Sequence, residues 1–336
     1  MKLSSLKPTK GATSNRKRVG RGHGSGIVAD VQTIETLNQR LPVVTIVGTG
    51  LVGGSVGLGL KQAGYVGKVI GVGRRRSTLE RALQRGCIDE TAIDLPEVVP
   101  QSRLILLATP LGSFPTLFEA IAPYTHEDLI ISDAGSVKHS VCMAARSALP
   151  SVDRFVPAHP MAGAEQAGPE AARADLFRGR PCVLTPESET MPEAIDTVSL
   201  MWRLLGMTIV HMSVQEHDRH AAAISHLPHA AAVLLVAVAE ELGGLDIASS
   251  GFHDTTRLAS SHPKMRSDIM VANRAGLLTA IDAFQHRLDA MRQMLTRDDG
   301  ASLLATLEEV KRYRDTWVAA RHRAADETPD GTSIGP

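Results

Sequence analysis

The run VTIVGTGLVGGS, residues 44–55, constrains this chain more than any other stretch. It sets Gly48, Gly50 and Gly53 in G-x-G-x-x-G spacing, directly behind an apolar, β-rich run and ahead of a helix-like segment. A strand feeding a helix through such a turn is the context in which the motif signals dinucleotide binding. Gly48 permits the tight turn, Gly50 lets the backbone approach a pyrophosphate, and Gly53 lets the helix pack close to the strand. The helix opened by Leu51 and Val52 would point free N–H groups and its positive dipole end at the phosphates. The competing reading is a glycine turn with no ligand, and the strand–turn–helix context argues against it.

About 20 residues further on, a second apolar run, KVIGVG at 68–73, leads into RRRST. An acid at this strand end would hydrogen-bond the ribose 2′-hydroxyl of NAD. Here Gly73 stands in that place, followed by Arg74, Arg75, Arg76 and Ser77. A guanidinium can grip a 2′-phosphate bidentately, so the cofactor is NADP or NAD with NADP favoured. Arg74 and Ser77 are the candidate contacts, and Arg75 and Arg76 read equally well as a solvated basic turn. A third strand, RLILLAT at 103–109, presents Thr109 and Pro110 at the same end.

Further apolar runs at 128–135, 154–160, 181–186 and 207–212 alternate with helical stretches. That alternation predicts a parallel sheet covered on both faces. From Ser213 the strand signals stop. Ser213 and Glu216 have capping-box spacing, Pro228 is placed to open a new helix in its first turn, and two long segments carry helical apolar spacing. The predicted fold class is α/β: a Rossmann-type, mostly parallel sheet domain over 41–212, followed by an all-helical domain over 213–318. Residues 1–40 read as a basic disordered tail and connector, and 319–336 as a polar tail.

With 43% hydrophobic and 21% charged residues the chain reads as soluble and globular, and aromatics at 3% leave the core to aliphatic side chains. The segment AAAVLLVAVA, 230–239, runs into Glu240 and Glu241. It is read as a buried helix rather than a membrane span, which needs about 18 apolar residues. Cys87, Cys142 and Cys182 are far apart with no CxxC, which suits a reducing compartment and a cytoplasmic location.

Four segments carry candidate chemistry: SDAGSVK at 132–138, HPMAGAE at 159–165, SHLPH at 225–229 and GFHDTTRLASSHP at 251–263. His159, fixed before a proline, is expected at an extended strand end. There it could be a packed histidine, a metal ligand or a proton acceptor. Ser136 could cap the following helix. His226 and His229 could form a metal pair, but no thiol or carboxylate sits at ligand spacing, so no metal is expected. Arg257 could pair with Asp254 or Glu165. His211, His217 and His220 read as surface or packing residues.

In order and spacing these segments, with the glycine loop and LFRGRPCVLTP at 176–186, resemble the prephenate/arogenate dehydrogenase family of tyrosine biosynthesis over about residues 43–318. The resemblance implies oxidation of a cyclohexadienol, prephenate or arogenate, by hydride transfer to NAD(P) with loss of the ring carboxylate. It makes His159 the base, has Ser136 hydrogen-bond the same hydroxyl, and gives Arg257 the substrate carboxylate. It lines the pocket with His226, His229 and Glu165, and gives Asp218 the task of orienting one of those histidines. It also implies a homodimer through the helical domain. The chain departs from the pattern at Ala164, where relatives often have a hydroxyl, and at Arg266, where some have an aromatic residue. Both bear on substrate choice. Only about 20 residues follow the helical domain, so tyrosine is expected to act at the active site or not at all.

Two other readings compete. One is a different Rossmann dehydrogenase, for a β-hydroxyacid or an imine, which would call on Lys138 as a catalytic lysine. The other is a ribosome-associated binding protein. Residues 1–26 carry seven Lys/Arg and no acid, leaving the remainder with 29 basic against 36 acidic residues. That segment resembles the N-terminus of the fifteenth large-subunit ribosomal protein. It has no aromatics for base stacking, so nucleic-acid binding by the tail is not expected.

Overall fold

The computed structural model describes residues 31–164 and 166–326. The basic tail, with its ribosomal resemblance, lies outside the described residues, as do Glu165 and the last ten residues. A first helix, α1 (Val31–Arg40), packs on α7 (Pro192–Leu204), burying Leu37 and hydrogen-bonding Arg40 to Thr197.

The chain then alternates β1 (Val43–Val47), α2 (Leu51–Gln62), β2 (Lys68–Val72), α3 (Arg76–Gln84), β3 (Glu90–Ala92), α4 (Leu95–Val98), β4 (Leu104–Leu107), α5 (Phe114–Ile121), β5 (Ile130–Asp133), α6 (Lys138–Ala148) and β6 (Phe155–Val156). The six strands pair in parallel in the order β3-β2-β1-β4-β5-β6. β1 and β4 read as unbroken Val, Ile and Leu runs because both faces of the sheet are covered. One face packs Val44, Ile46 and Leu106 against Val56, Leu60 and Trp202. The other packs Val47, Ile105 and Leu107 against Phe114, Phe118 and Val141. The strand order reverses direction between β1 and β4, and ligands of such sheets bind at the carboxyl ends there.

The run at 154–160 is not one strand. It divides at Pro157 into β6 and β7 (Ala158–Pro160), which belong to different sheets. Proline has no N–H to donate to a ladder, so the chain changes sheets at that residue. β7 pairs antiparallel with β8 (Pro181–Leu184), which pairs in parallel with β9 (Thr208–His211). His159 thereby stands opposite Val183.

The helical half begins with α8 (Val214–Ala221), whose start is the expected capping box: Ser213 Oγ accepts from the Glu216 amide, and the Glu216 carboxylate accepts from the Ser213 amide. Pro228 stands in the first turn of α9 (Leu227–Leu242) as expected, although no break separates that helix from α8. The residues 222–226 widen into a π turn that carries α8 straight into α9. A π turn accommodates a residue that cannot supply the regular i→i−4 bond. Then follow α10 (Ser250–Thr256), α11 (Pro263–Ala272), α12 (Arg274–Thr296) and α13 (Gly300–Asp326).

The expectation of a buried helix at 230–239 fails. Val233, Leu234, Leu235 and Val238 of α9 are exposed, as are Leu278, Phe284, Leu288 and Leu295 of α12 and Leu304, Leu307 and Val310 of α13. A helix apolar all round must be covered by something, and a single chain leaves this surface open. The continuous helix Val214–Leu242 has the length and apolarity of a membrane span. It also carries His217, Asp218, His226 and His229, all buried against the protein itself.

Candidate active site

At the end of β1, each glycine of the motif has its own steric reason. Gly48 has φ +97°, and a Cβ there would lie 2.6 Å from the Ala108 carbonyl at the end of β4. A Cβ on Gly53 would lie 2.1 Å from the Gly48 carbonyl. A Cβ on Gly50 would meet nothing within 4 Å, so the space before it is open. Gly50 caps α2 without a side-chain bond, and the first intrahelical bond runs from Gly54 N–H to Gly50 C=O. The amides of Leu51, Val52 and Gly53 are therefore the helix's spare donors. Beside them the Thr49 hydroxyl is buried with no partner among the described residues. A pyrophosphate suits this arrangement of donors, open space and dipole. Arg74 is exposed on the turn after β2 and Ser77 in the first turn of α3, and the Thr109 hydroxyl accepts from Ser113 Oγ at 2.8 Å beside the exposed Pro110.

Beyond the end of β5, a chain of hydrogen bonds ends on His159. Asp218 Oδ1 lies 2.7 Å from His217 Nδ1, and His217 Nε2 lies 2.8 Å from His159 Nδ1. A carboxylate only accepts, so His217 donates through Nδ1, and in its neutral form its Nε2 accepts. His159 must then donate through Nδ1, which leaves the lone pair on Nε2. Burial holds the His159 imidazole well below its usual pKa, helped by His217, Lys138 and His226, so it is neutral near pH 7. Asp218 stays ionised: burial opposes this, but the hydrogen bonds from His217 and from the Lys138 and His139 amides outweigh it. Those two amides, at 2.8 and 2.9 Å, open α6. The cap of α6 is thus Asp218, reaching over from α8. Ser136 makes no cap bond to α6; it sits half-buried in the turn before it.

Two expectations are corrected here. His217 is no surface or packing histidine: it is 2% exposed and is the middle member of the chain to His159. Accordingly Asp218 orients His217 rather than His226 or His229. Lys138 is wholly buried, with its ammonium held by the Asp133 carboxylate and the Ala158 carbonyl. Asp133 also accepts from the Gly135 and Ala158 amides at 2.7 and 3.0 Å. Lys138 therefore clamps the end of β5 to β7, directly before His159, and presents no amine to a substrate. The dehydrogenase reading built on a lysine loses its residue.

The π turn carries His226 and α9 carries His229, both buried. His226 Nδ1 accepts from Asn273 Nδ2 at 3.2 Å, and the same amide group donates to the Asp218 carbonyl at 2.7 Å. His229 Nδ1 donates to the Ser225 carbonyl at 2.8 Å. The Nε2 atoms of both rings are buried without a partner among the described residues. Burial lowers both, His226 to about 4. Arg257 follows α10 on an exposed 3₁₀ turn, and its charge adds to the lowering at His229. No cluster of His, Cys, Asp and Glu among the described residues could hold a metal.

Three histidines with lowered native pKa values make stability pH-dependent. Above about pH 6.5, the unfolded imidazole value, they are neutral in both states. As pH falls through 6.5 the unfolded chain binds protons that the native one refuses, so stability is lost. Thermal melts are expected to be flat from pH 8 to 7 and to drop steadily from pH 6.5 to 5.

Comparison with known proteins places the fold in a family. The prephenate dehydrogenase nucleotide-binding domain model matches residues 56–211, and the prephenate dehydrogenase dimerization domain model matches residues 213–309. The chain belongs to the prephenate dehydrogenase family. It is 32% identical to the prephenate dehydrogenase of Bacillus subtilis strain 168 over 285 residues, 83% of this chain and 77% of that one. It is 33% identical to the cyclohexadienyl dehydrogenase of Zymomonas mobilis, over 81% of this chain and 94% of that one. Its fold is similar to that of Aquifex aeolicus prephenate dehydrogenase in complex with hydroxyphenyl propionate and NAD+, with a TM-score of 0.77 at 31% identity, covering 82% and 97% of the two chains. Synechocystis arogenate dehydrogenase gives a TM-score of 0.72 at 30% identity, covering 82% and 99%. Like these relatives, the chain is an NAD(P)-dependent oxidoreductase with a Rossmann-type sheet and a helical dimerization domain.

Proposed function

We propose that this family member oxidises prephenate or arogenate to 4-hydroxyphenylpyruvate or tyrosine, with His159 as the base. The observation carrying the reading is the His159 Nε2 lone pair, tautomerically fixed through His217 and Asp218. A bound nicotinamide supplies the hydride acceptor. His159 takes the ring hydroxyl proton as the carbinol carbon gives up its hydride. The positive charge then forming on the imidazole is shared with His217 and faces Asp218, which disperses it. Once the ring carboxylate departs as CO2, the same imidazole can return its proton to the phenolic oxygen. Ser136, in the turn before α6, is assigned the hydrogen bond to that oxygen. Arg257 offers a planar fork for a carboxylate. The unpartnered Nε2 atoms of His226 and His229 supply a donor and an acceptor to the substrate.

NADP is the preferred cofactor in this reading. Support comes from the basic turn itself: Gly73 to Ser77 contains three arginines and no acid, and Arg74 is exposed. Arg74→Ala is expected to lower kcat/KM with NADP by about 10-fold or more and to change it little with NAD. The deciding assay follows the absorbance of reduced cofactor with prephenate and arogenate, each with NAD and NADP. No turnover with either substrate would refute the proposal.

The working form is a homodimer in which the exposed apolar faces of α9, α12 and α13 cover one another. A cytoplasmic location fits the three cysteines, which are free and buried. Neither a membrane nor a nucleic acid is needed as a partner.

A further inference from the structure

We propose that Arg266 is a second cationic anchor for the substrate and makes the site select the doubly charged keto acid, prephenate, over the amino acid arogenate. The inference deepens the proposed function and rests on it. Arg266 lies on α11 on the same face as Ile269, at i and i+3, and that face runs on to the cap residue Asn273 at i+7. Ile269 and Asn273 are buried, and Asn273 bonds both His226 and the Asp218 carbonyl. The helix is thus pinned to the hydrogen-bond chain of the active site, and Arg266 lies near enough to His226 and His229 for its charge to act on both.

Its side chain is half-buried, with the Nε edge of the guanidinium out of water and no anion set against it. The Nε atom is buried and has no hydrogen-bond partner, and no ion pair to Arg266 occurs among the described residues. The nearest acid on its own helix, Asp268, is taken by Lys264 at 2.5 Å. The charged or titratable groups it faces are His226 and His229, both neutral near pH 7, and it lowers each of them. Desolvation also lowers Arg266 itself, with no carboxylate to offset the loss, yet a guanidinium remains charged at neutral pH. A desolvated, unpaired cation is costly in a finished core. In a binding cleft it is a site waiting for an anion.

The chemistry of the two substrates then divides them. Both carry a ring carboxylate and a side-chain carboxylate, so Arg257 and Arg266 together match two anions. Arogenate adds an ammonium beside the side-chain carboxylate, and that ammonium would enter the field of Arg266. Prephenate has a neutral keto group there. Like-charge contact of this kind is how a site rejects the wrong ligand.

The test is steady-state kinetics of Arg266→Gln and Arg266→Lys with both substrates, at saturating cofactor. In Arg266→Gln the KM for prephenate should rise about 10- to 100-fold with kcat within about threefold. The KM for arogenate should move by less than about threefold, or fall. Arg266→Lys should recover part of the prephenate affinity. Removing the guanidinium should also raise the titration midpoint of His229, read by NMR, which reports contact independently of turnover. Equal KM changes for the two substrates, or an unchanged KM for prephenate, would overturn the inference. A wild-type enzyme that oxidises neither substrate would instead overturn the reaction assignment, so the two failures are distinguishable.

Discussion

Exchange of His159 for Asn is expected to lower kcat by about 10²- to 10⁴-fold, the range ordinarily contributed by a positioned general base. Asparagine is close in size and can still donate to His217 Nε2, so the pairing of β7 with β8 survives. What disappears is the lone pair that Nε2 presented to the substrate hydroxyl. Cofactor affinity should be unchanged, because the phosphate cradle is built from β1 and α2. The pH profile gives a second readout. Because the native imidazole titrates well below its ordinary value, the acid limb of kcat/KM in the wild type should lie below pH 6.5, and it should vanish in the variant. Steady-state absorbance of the reduced cofactor measures both. Wild-type turnover in the variant would remove His159 from the chemistry.

Much of the frame behind that base could be read in advance. Buried parallel strands are continuous apolar runs, and β1, β2, β4 and β5 announce themselves that way. β3, three residues beginning with Glu90, has no such signature because it lies at the sheet edge. The division at Pro157 was concealed by the apolar residues on either side, and only the missing N–H hinted at it. The exposed apolar stripe of α9 looked like core because hydropathy registers the need for cover, not whether the cover is the same chain.

The site was legible residue by residue but not as a network. His159, Asp218, His226 and His229 all stand out in the sequence, whereas His217 reads there as a surface or packing residue. A signal existed. Val214, His217, Asp218 and Ala221 follow i, i+3, i+4, i+7 spacing, and these are the residues α8 buries. Two polar groups inside an otherwise apolar stripe must find each other or a third partner. Lys138 misled for the opposite reason. Nothing local to it shows that Asp133, five residues back across a turn, already holds its ammonium.

The second large effect follows from that network. Asp218→Asn keeps the shape of the side chain and removes the charge that fixes two tautomers at once. The carboxylate accepts from His217 Nδ1 and from the Lys138 and His139 amides. An asparagine can accept with one end only, so its NH2 group must confront a donor. Stability should fall by about 1–3 kcal/mol, the cost of a buried unsatisfied donor, and a thermal melt will show it. The catalytic consequence is larger. Without an obligate acceptor at Nδ1, His217 can move its proton to Nε2 and donate to His159 Nδ1. His159 then carries its own proton on Nε2 and cannot take another from the substrate. Turnover should drop by about 10²- to 10⁴-fold, as expected when a base is held in the wrong tautomer. Structural damage alone would add to the loss in His159→Asn. A relay predicts otherwise: the double variant should turn over no more slowly than His159→Asn alone, because the second change acts only through the first residue. Additive losses would reduce Asp218 to a helix cap.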